Sequence, residues 1–117
     1  MWDAALVIRY GLPVRGREAK ALELFADAIT IFGKLAADGY CAEPEVFLRR
    51  DGGGMMIVRT ESTMKAHEML EMIEVRTAID TALYVVDDYG FEIVVSGERA
   101  MANMADYTTI GTELGFI

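Results

Sequence analysis

The chain of 117 residues predicts an α+β fold on the split βαβ plan, an antiparallel sheet with its helices on one face. Three observations predict it. Residues 17–38 form one long run of helix formers with an unbroken helical period. Two short runs, 4–10 and 55–60, are rich in branched or apolar residues and apolar on both faces, as strands in the middle of a sheet are. Between Arg50 and Met55, the turn Asp51-Gly52-Gly53-Gly54 makes the second of these runs the return strand of a hairpin. The order strand, helix, strand, strand, helix, strand follows, and right-handed crossovers place strands one and three at the centre.

The first strand, residues 4–10, is too short for a helix and stays apolar until Arg9; Gly11 and Pro13 end it. In the helix of residues 17–38, Lys20, Glu23, Asp27, Thr30, Lys34 and Asp38 fall on one narrow stripe at about 100° per residue. The apolar residues, among them Leu22, Phe25, Ile29, Phe32 and Leu35, spread over roughly 220° of arc, about twice that of an ordinary surface helix. So wide an arc needs two covers, a sheet on one side and a second helix or subunit on the other. Gly39 supplies a left-handed C-terminal cap.

The second strand runs from about Glu45 to Arg50 after Pro44, and its polar ends mark an edge. Glu61, Ser62 and Thr63 open the next helix with capping chemistry, over an inner face of Ala66, Met69 and Leu70. Its period slips near Met72. A further helical stretch carries Val75, Ile79, Ala82, Val86 and Tyr89 in register, with Gly90 placed as its C-cap and the last strand at 91–96. The domain therefore spans residues 1–97. Residues 98–117 lie outside the plan, and their apolar content, with Met101, Met104, Tyr107, Phe116 and Ile117, points to a tail docked on the domain or on a dimer partner.

Composition narrows the function. A net charge of −8 repels phosphate backbones and anionic lipid, so neither nucleic acid nor a membrane surface is an expected partner, and no apolar run approaches the roughly 18 residues of a span. An apolar fraction of 53% suggests a subunit interface, hence a homodimer or larger assembly. The single cysteine, Cys41, excludes an internal disulfide and reads as buried filler. The opening MWDAALVIRYG has an acid at residue 3 and a short apolar run, unlike a signal peptide, so a cytoplasmic location is the default expectation.

Chemistry-bearing patterns are sparse. One histidine, His67, and one cysteine offer no metal-ligand cluster, and no metal or cofactor is expected. Ser62 and Ser96 lack an activating motif, and the glycine run feeds a strand without the Lys-Ser/Thr of a phosphate loop. Arg15 and Arg17, beside a helix N-terminus, are a place where an anion would be attracted. The sharper candidates are Arg9, Tyr10 and Arg59. Both arginines end otherwise apolar central strands, so each must reach an acid, such as Glu45, Glu92 or Glu98, or the rim of a cleft. In the second case they orient a carboxylate or phenolate, with Phe25, Phe47, Met55 and Tyr89 as apolar wall.

From about residue 4 to 96 the chain resembles the dimeric α+β barrel superfamily, in which two ferredoxin-like subunits pack sheet on sheet. The resemblance is carried by Gly52-Gly53-Gly54-Met55-Met56-Ile57-Val58-Arg59, the acidic helix start and the broken helix, and is similar to small YciI-like and antibiotic-biosynthesis-monooxygenase-like proteins. The histidine and aspartate pair of the YciI-like pattern has no counterpart near the first strand and helix. The resemblance implies a dimer with a cleft between sheet and helices that holds a small aromatic or apolar molecule, in several members without metal or cofactor. The expected function is then the binding of a small aromatic or anionic organic molecule beside the sheet. The alternatives are a cofactor-independent monooxygenase or isomerase, with Tyr or Glu side chains moving protons, and a non-catalytic subunit that docks on another protein through its tail.

Overall fold

The computed structural model describes residues 2–117. The elements run β1 (Ala4–Tyr10), α1 (Glu18–Ala37), β2 (Glu45–Leu48), β3 (Gly54–Thr60), α2 (Thr63–Glu71), α3 (Ile73–Val85), β4 (Gly90–Val95) and α4 (Gly97–Glu113). The four strands form one antiparallel sheet in the order β2-β3-β1-β4. β1 and β3, the two strands apolar on both faces, are central, and the polar-ended β2 is an edge. This is the ferredoxin-like arrangement the sequence predicts.

Local chemistry accounts for the boundaries. At the end of α1 the amide of Tyr40 donates to the Leu35 carbonyl and that of Gly39 to Ala36, both at 3.0 Å, with Gly39 at φ +87°. That is the double capping bond for which glycine is preferred. Ser62 caps α2, its hydroxyl accepting from the Lys65 amide at 3.2 Å. The slip in period is a true break: Met72 is extended, with φ −69° and ψ 135°, and ends α2 while starting α3. In the hairpin, the Asp51 carboxylate accepts from the Gly53 amide at 2.9 Å, which, with Arg49, lowers its pKa. A Cβ on Gly54 would sit 2.2 Å from the Phe47 carbonyl oxygen, so this position has no room for a side chain.

Two expectations are corrected. α3 does not continue to Tyr89 and Gly90 is not its cap; Val86 turns extended (φ −131°, ψ 150°) and forms a bridge with Pro13, so the chain reaches β4 through Asp88 at φ +51° and Gly90 opens the strand. Gly90 is instead where the Arg9 guanidinium lies close over the backbone, 3.0 Å from where a Cβ would be. The second strand stops at Leu48, two residues short, because Arg49 already belongs to the turn, its amide donating to Gly53. The segment after β4 is a 17-residue helix, α4, with no buried residue.

The core lies between the sheet and the helices α1, α2 and α3. Leu6, Met56 and Val58 from the sheet meet Phe32, Leu35, Met69, Val75 and Ile79. Of the wide apolar arc of α1, Phe32 and Leu35 are buried in the core with the sheet and another part packs on α3, while Leu22 and Ile29 remain exposed. Cys41 is buried in this core, its thiol donating to the Phe32 carbonyl at 3.8 Å and pushed up to about 11 by burial and then by Glu43, as suits packing rather than nucleophilic chemistry.

Candidate functional site

Pairing fixes which side chains share a face, since residues directly opposite in an antiparallel sheet point the same way. Leu6 pairs with Val58 and Ile93, and Ile8 with Met56 and Phe91; these side chains face the helices. The intervening residues, Ala5, Val7 and Arg9 of β1, Met55, Ile57 and Arg59 of β3, Glu45 and Phe47 of β2, and Glu92 and Val94 of β4, form the opposite, open face.

Between the sheet and helices α1 and α3 lies a cavity of about 280 Å³. Ile8, Tyr10 and Met56 form its floor, Phe25, Ala28 and Ile31 its α1 wall, Val75, Ala78, Ile79 and Ala82 its α3 wall, and Tyr89 one end. Leu22, Leu48, Gly52 and Pro13 line the end nearest the hairpin. The size sits at the low end of the roughly 300–1,000 Å³ of small-molecule sites. Every lining side chain is apolar except those of the two tyrosines.

Those tyrosines are the unusual feature. The hydroxyls of Tyr10 and Tyr89 are both buried, and neither has a hydrogen-bond partner among the described residues. Burial pushes the Tyr10 hydroxyl up from its ordinary value, and burial, with a smaller contribution from Asp80, pushes that of Tyr89 up to about 12. Near neutral pH both are protonated, so each offers an O–H to an acceptor. A buried hydroxyl without a partner costs about 1–3 kcal/mol. Packing fixes both rings: Tyr10 meets Phe25 edge to face at 6.0 Å, and Tyr89 lies 6.4 Å from Phe91.

The seven residues singled out from sequence divide between the two faces. Tyr10, Phe25 and Tyr89 meet in the cavity. Arg9, Arg59, Phe47 and Met55 lie on the open face, where Arg9 pairs with Glu92 at 3.2 Å and Arg59 with Glu45 at 3.4 Å. Of the two outcomes open to these arginines, each reaches an acid. The guanidinium of Arg17, at the start of α1, donates to the Tyr84 carbonyl, which fixes the β1–α1 loop to the end of α3. What sequence reading missed is the α1 and α3 wall: Ala28, Ala78 and Ala82 read as ordinary helix positions, and in the structure they line the cavity. No group of His, Cys, Asp and Glu side chains among the described residues is arranged to hold a metal.

No family model and no curated protein matches the sequence. Solved structures do resemble it. The Rv0793 protein of Mycobacterium tuberculosis superposes with a TM-score of 0.67 at 12% identity, covering 82% of this chain and 96% of that one. A dimeric protein of unknown function and ferredoxin-like fold from Bacteroides fragilis gives 0.61 at 9%, covering 82% and 98%. A Caulobacter crescentus protein, named provisionally as an antibiotic biosynthesis monooxygenase, gives 0.62 at 13%, covering 83% and 93%. At such identities the likeness is one of fold, and at that level the resemblance seen in the sequence holds: this chain has the ferredoxin-like fold that these proteins share.

Proposed function

We propose that the protein is a homodimer, assembled through the open face of its sheet, that binds a small, neutral, planar organic molecule bearing acceptor oxygens in the cavity between sheet and helices. The observation that carries the ligand reading is the pair of tyrosines lining an otherwise apolar cavity, each with a buried hydroxyl that has no partner among the described residues. A quinone or aromatic ketone satisfies both donors with its carbonyl oxygens and fills the space with its rings. A carboxylate would meet no cation there, since Arg9 and Arg59 are paired on the other side of the sheet. The anionic alternative is thus the weaker, and the aromatic one the stronger. Support for the dimer comes from the half-covered apolar side chains of the open face and from the dimeric neighbour.

Calorimetric titration with 2-methyl-1,4-naphthoquinone tests the ligand reading. Binding that is lost or weakened about thirtyfold in a Tyr10→Phe/Tyr89→Phe variant supports it, two neutral hydrogen bonds of about 1 kcal/mol each being at stake. Equal affinity in the variant, or no heat across a panel of quinones and aromatic ketones, overturns it. A catalytic reading is favoured by the same two protonated hydroxyls, the kind of donor that stabilises a developing oxyanion, and by the name of the Caulobacter neighbour. Oxygen uptake with a naphthohydroquinone, above its own autoxidation rate, supports catalysis; uptake equal to that rate rejects it for this class.

A further inference from the structure

The helix that follows β4 is built like an arm. None of its residues is buried, and it forms no extended packing with the sheet or with the other helices. The radius of gyration is 16.5 Å, against about 13 Å for a compact chain of this length, and the molecule is 52 Å long. Met101, Met104, Tyr107, Ile110 and Leu114 recur at spacings of three and four along it, and Phe116 and Ile117 follow; all seven are 52–81% exposed. A helix of about 25 Å with nothing against it is marginal in water, and an apolar stripe exposed along its length makes the isolated arm worse still.

We propose that α4 is an exchanged arm that docks on a second copy of this chain, extending the interface proposed for the open sheet face; the inference rests on that self-association. Continuity places it there. Gly97, at φ +60°, begins α4 directly beyond Val95 of the edge strand β4, and Ser96 is tied to the Asp3 carbonyl at 2.8 Å, so the arm is rooted at the border of the open face. A copy that covers Val7, Ile57 and Val94 brings its own mass alongside that root, and a two-fold axis makes the exchange reciprocal.

Charge favours a copy of the same chain. A molecule with net charge −8 repels itself in general, but the open face carries Arg9 and Arg59 against Glu45 and Glu92, a net of zero, and the α4 stripe has no charge at all. These are the surfaces on which two acidic copies can meet. The area is of the right order as well. Seven large apolar side chains cover roughly 600 Å² per protomer, which with the sheet face exceeds the roughly 800 Å² per partner of a standard interface.

The test uses the full chain. Sedimentation equilibrium on the native protein and on Met104→Glu/Tyr107→Glu gives the dimer dissociation constant, and amide hydrogen exchange reports on α4 across the same concentrations. Glutamate preserves helix propensity, so the variant changes the stripe and not the tendency to coil. The expected result is a dimer weakened about tenfold or more, with α4 amides protected only where the dimer is populated. A dimer of unchanged affinity whose α4 amides exchange freely overturns the arm while leaving the sheet-face dimer standing. A chain that is monomeric at all concentrations overturns both.

Discussion

The two faces of the central strand β1 carry similar side chains and meet different fates. Leu6 faces the helices and is fully buried; Val7, its neighbour in sequence, faces away and is only half covered. The same holds across the ladder, where Met56 and Val58 are buried and Met55 and Ile57 are not. An unbroken apolar run encodes burial on both faces, but this chain's helices supply a cover for one. In the proposed dimer the second cover is the partner's sheet, and the ion pairs Arg9–Glu92 and Arg59–Glu45 put charge on the face that the helices leave uncovered.

Substitutions at adjacent positions separate the two roles. Leu6→Ala leaves a void in the core and should lower stability by about 2–5 kcal/mol in urea unfolding, by the same amount at every protein concentration. Val7→Asp should instead leave the fold of the protomer intact by circular dichroism and weaken self-association roughly 100-fold, since the proposed sheet-face dimer would bury an unpaired carboxylate there. If Val7→Asp unfolds the chain and dilution makes no difference, the open face is held by something within the protomer and the contrast between the faces disappears.

The helix side has its own signature in pH. The folded pKa of Tyr89, pushed up to about 12, lies above its unfolded value of about 10. Protonated Tyr89 is thus the form the fold prefers: its contribution is fully present below about pH 10 and is lost as pH rises through about 12. Tyr10 is raised in the same direction. Unfolding midpoints measured from pH 8 to 12 should therefore fall in the alkaline range, less steeply in Tyr89→Phe. That variant should also be as stable as the native protein at neutral pH or gain about 1 kcal/mol, because it removes a buried hydroxyl without a partner. A loss of stability would show instead that the hydroxyl is already satisfied.

Much of the fold was legible because its signals are local. Periodicity marked α1, Gly39 and Ser62 chemistry fixed two caps, and the slip at Met72 marked a real break. The end of α3 was misread because Tyr89 continues the helical register, and only a tertiary bridge from Pro13 to Val86 shows where the chain turns extended. The lining of the cavity was legible only in part. Tyr10, Phe25 and Tyr89 could be named as candidates, but parity along β1 and β3 is invisible where both faces are apolar, so residues from opposite faces were grouped as one cleft. The small α1 and α3 wall residues gave no sequence signal, because an alanine beside a void reads the same as an alanine beside a neighbour.

Arg59 carries the smallest expected effect and the most direct check of that division. Its pair with Glu45 is long, at 3.4 Å, with both side chains more than two-fifths exposed, and such pairs contribute about 0–1 kcal/mol. Arg59→Met should therefore change protomer stability by less than about 1 kcal/mol. Because the side chain lies across the sheet from the cavity, naphthoquinone affinity should stay within about twofold of the native value, well under 1 kcal/mol. Dimerisation through the open face, as proposed, should by contrast respond, since removal of the guanidinium leaves Glu45 without its partner on the face assigned to the interface. Calorimetry and sedimentation on this one variant thus read the two sides of the sheet separately. A fall in ligand affinity without a change in assembly would return Arg59 to the ligand site and undo the assignment of the cavity to the helix side alone.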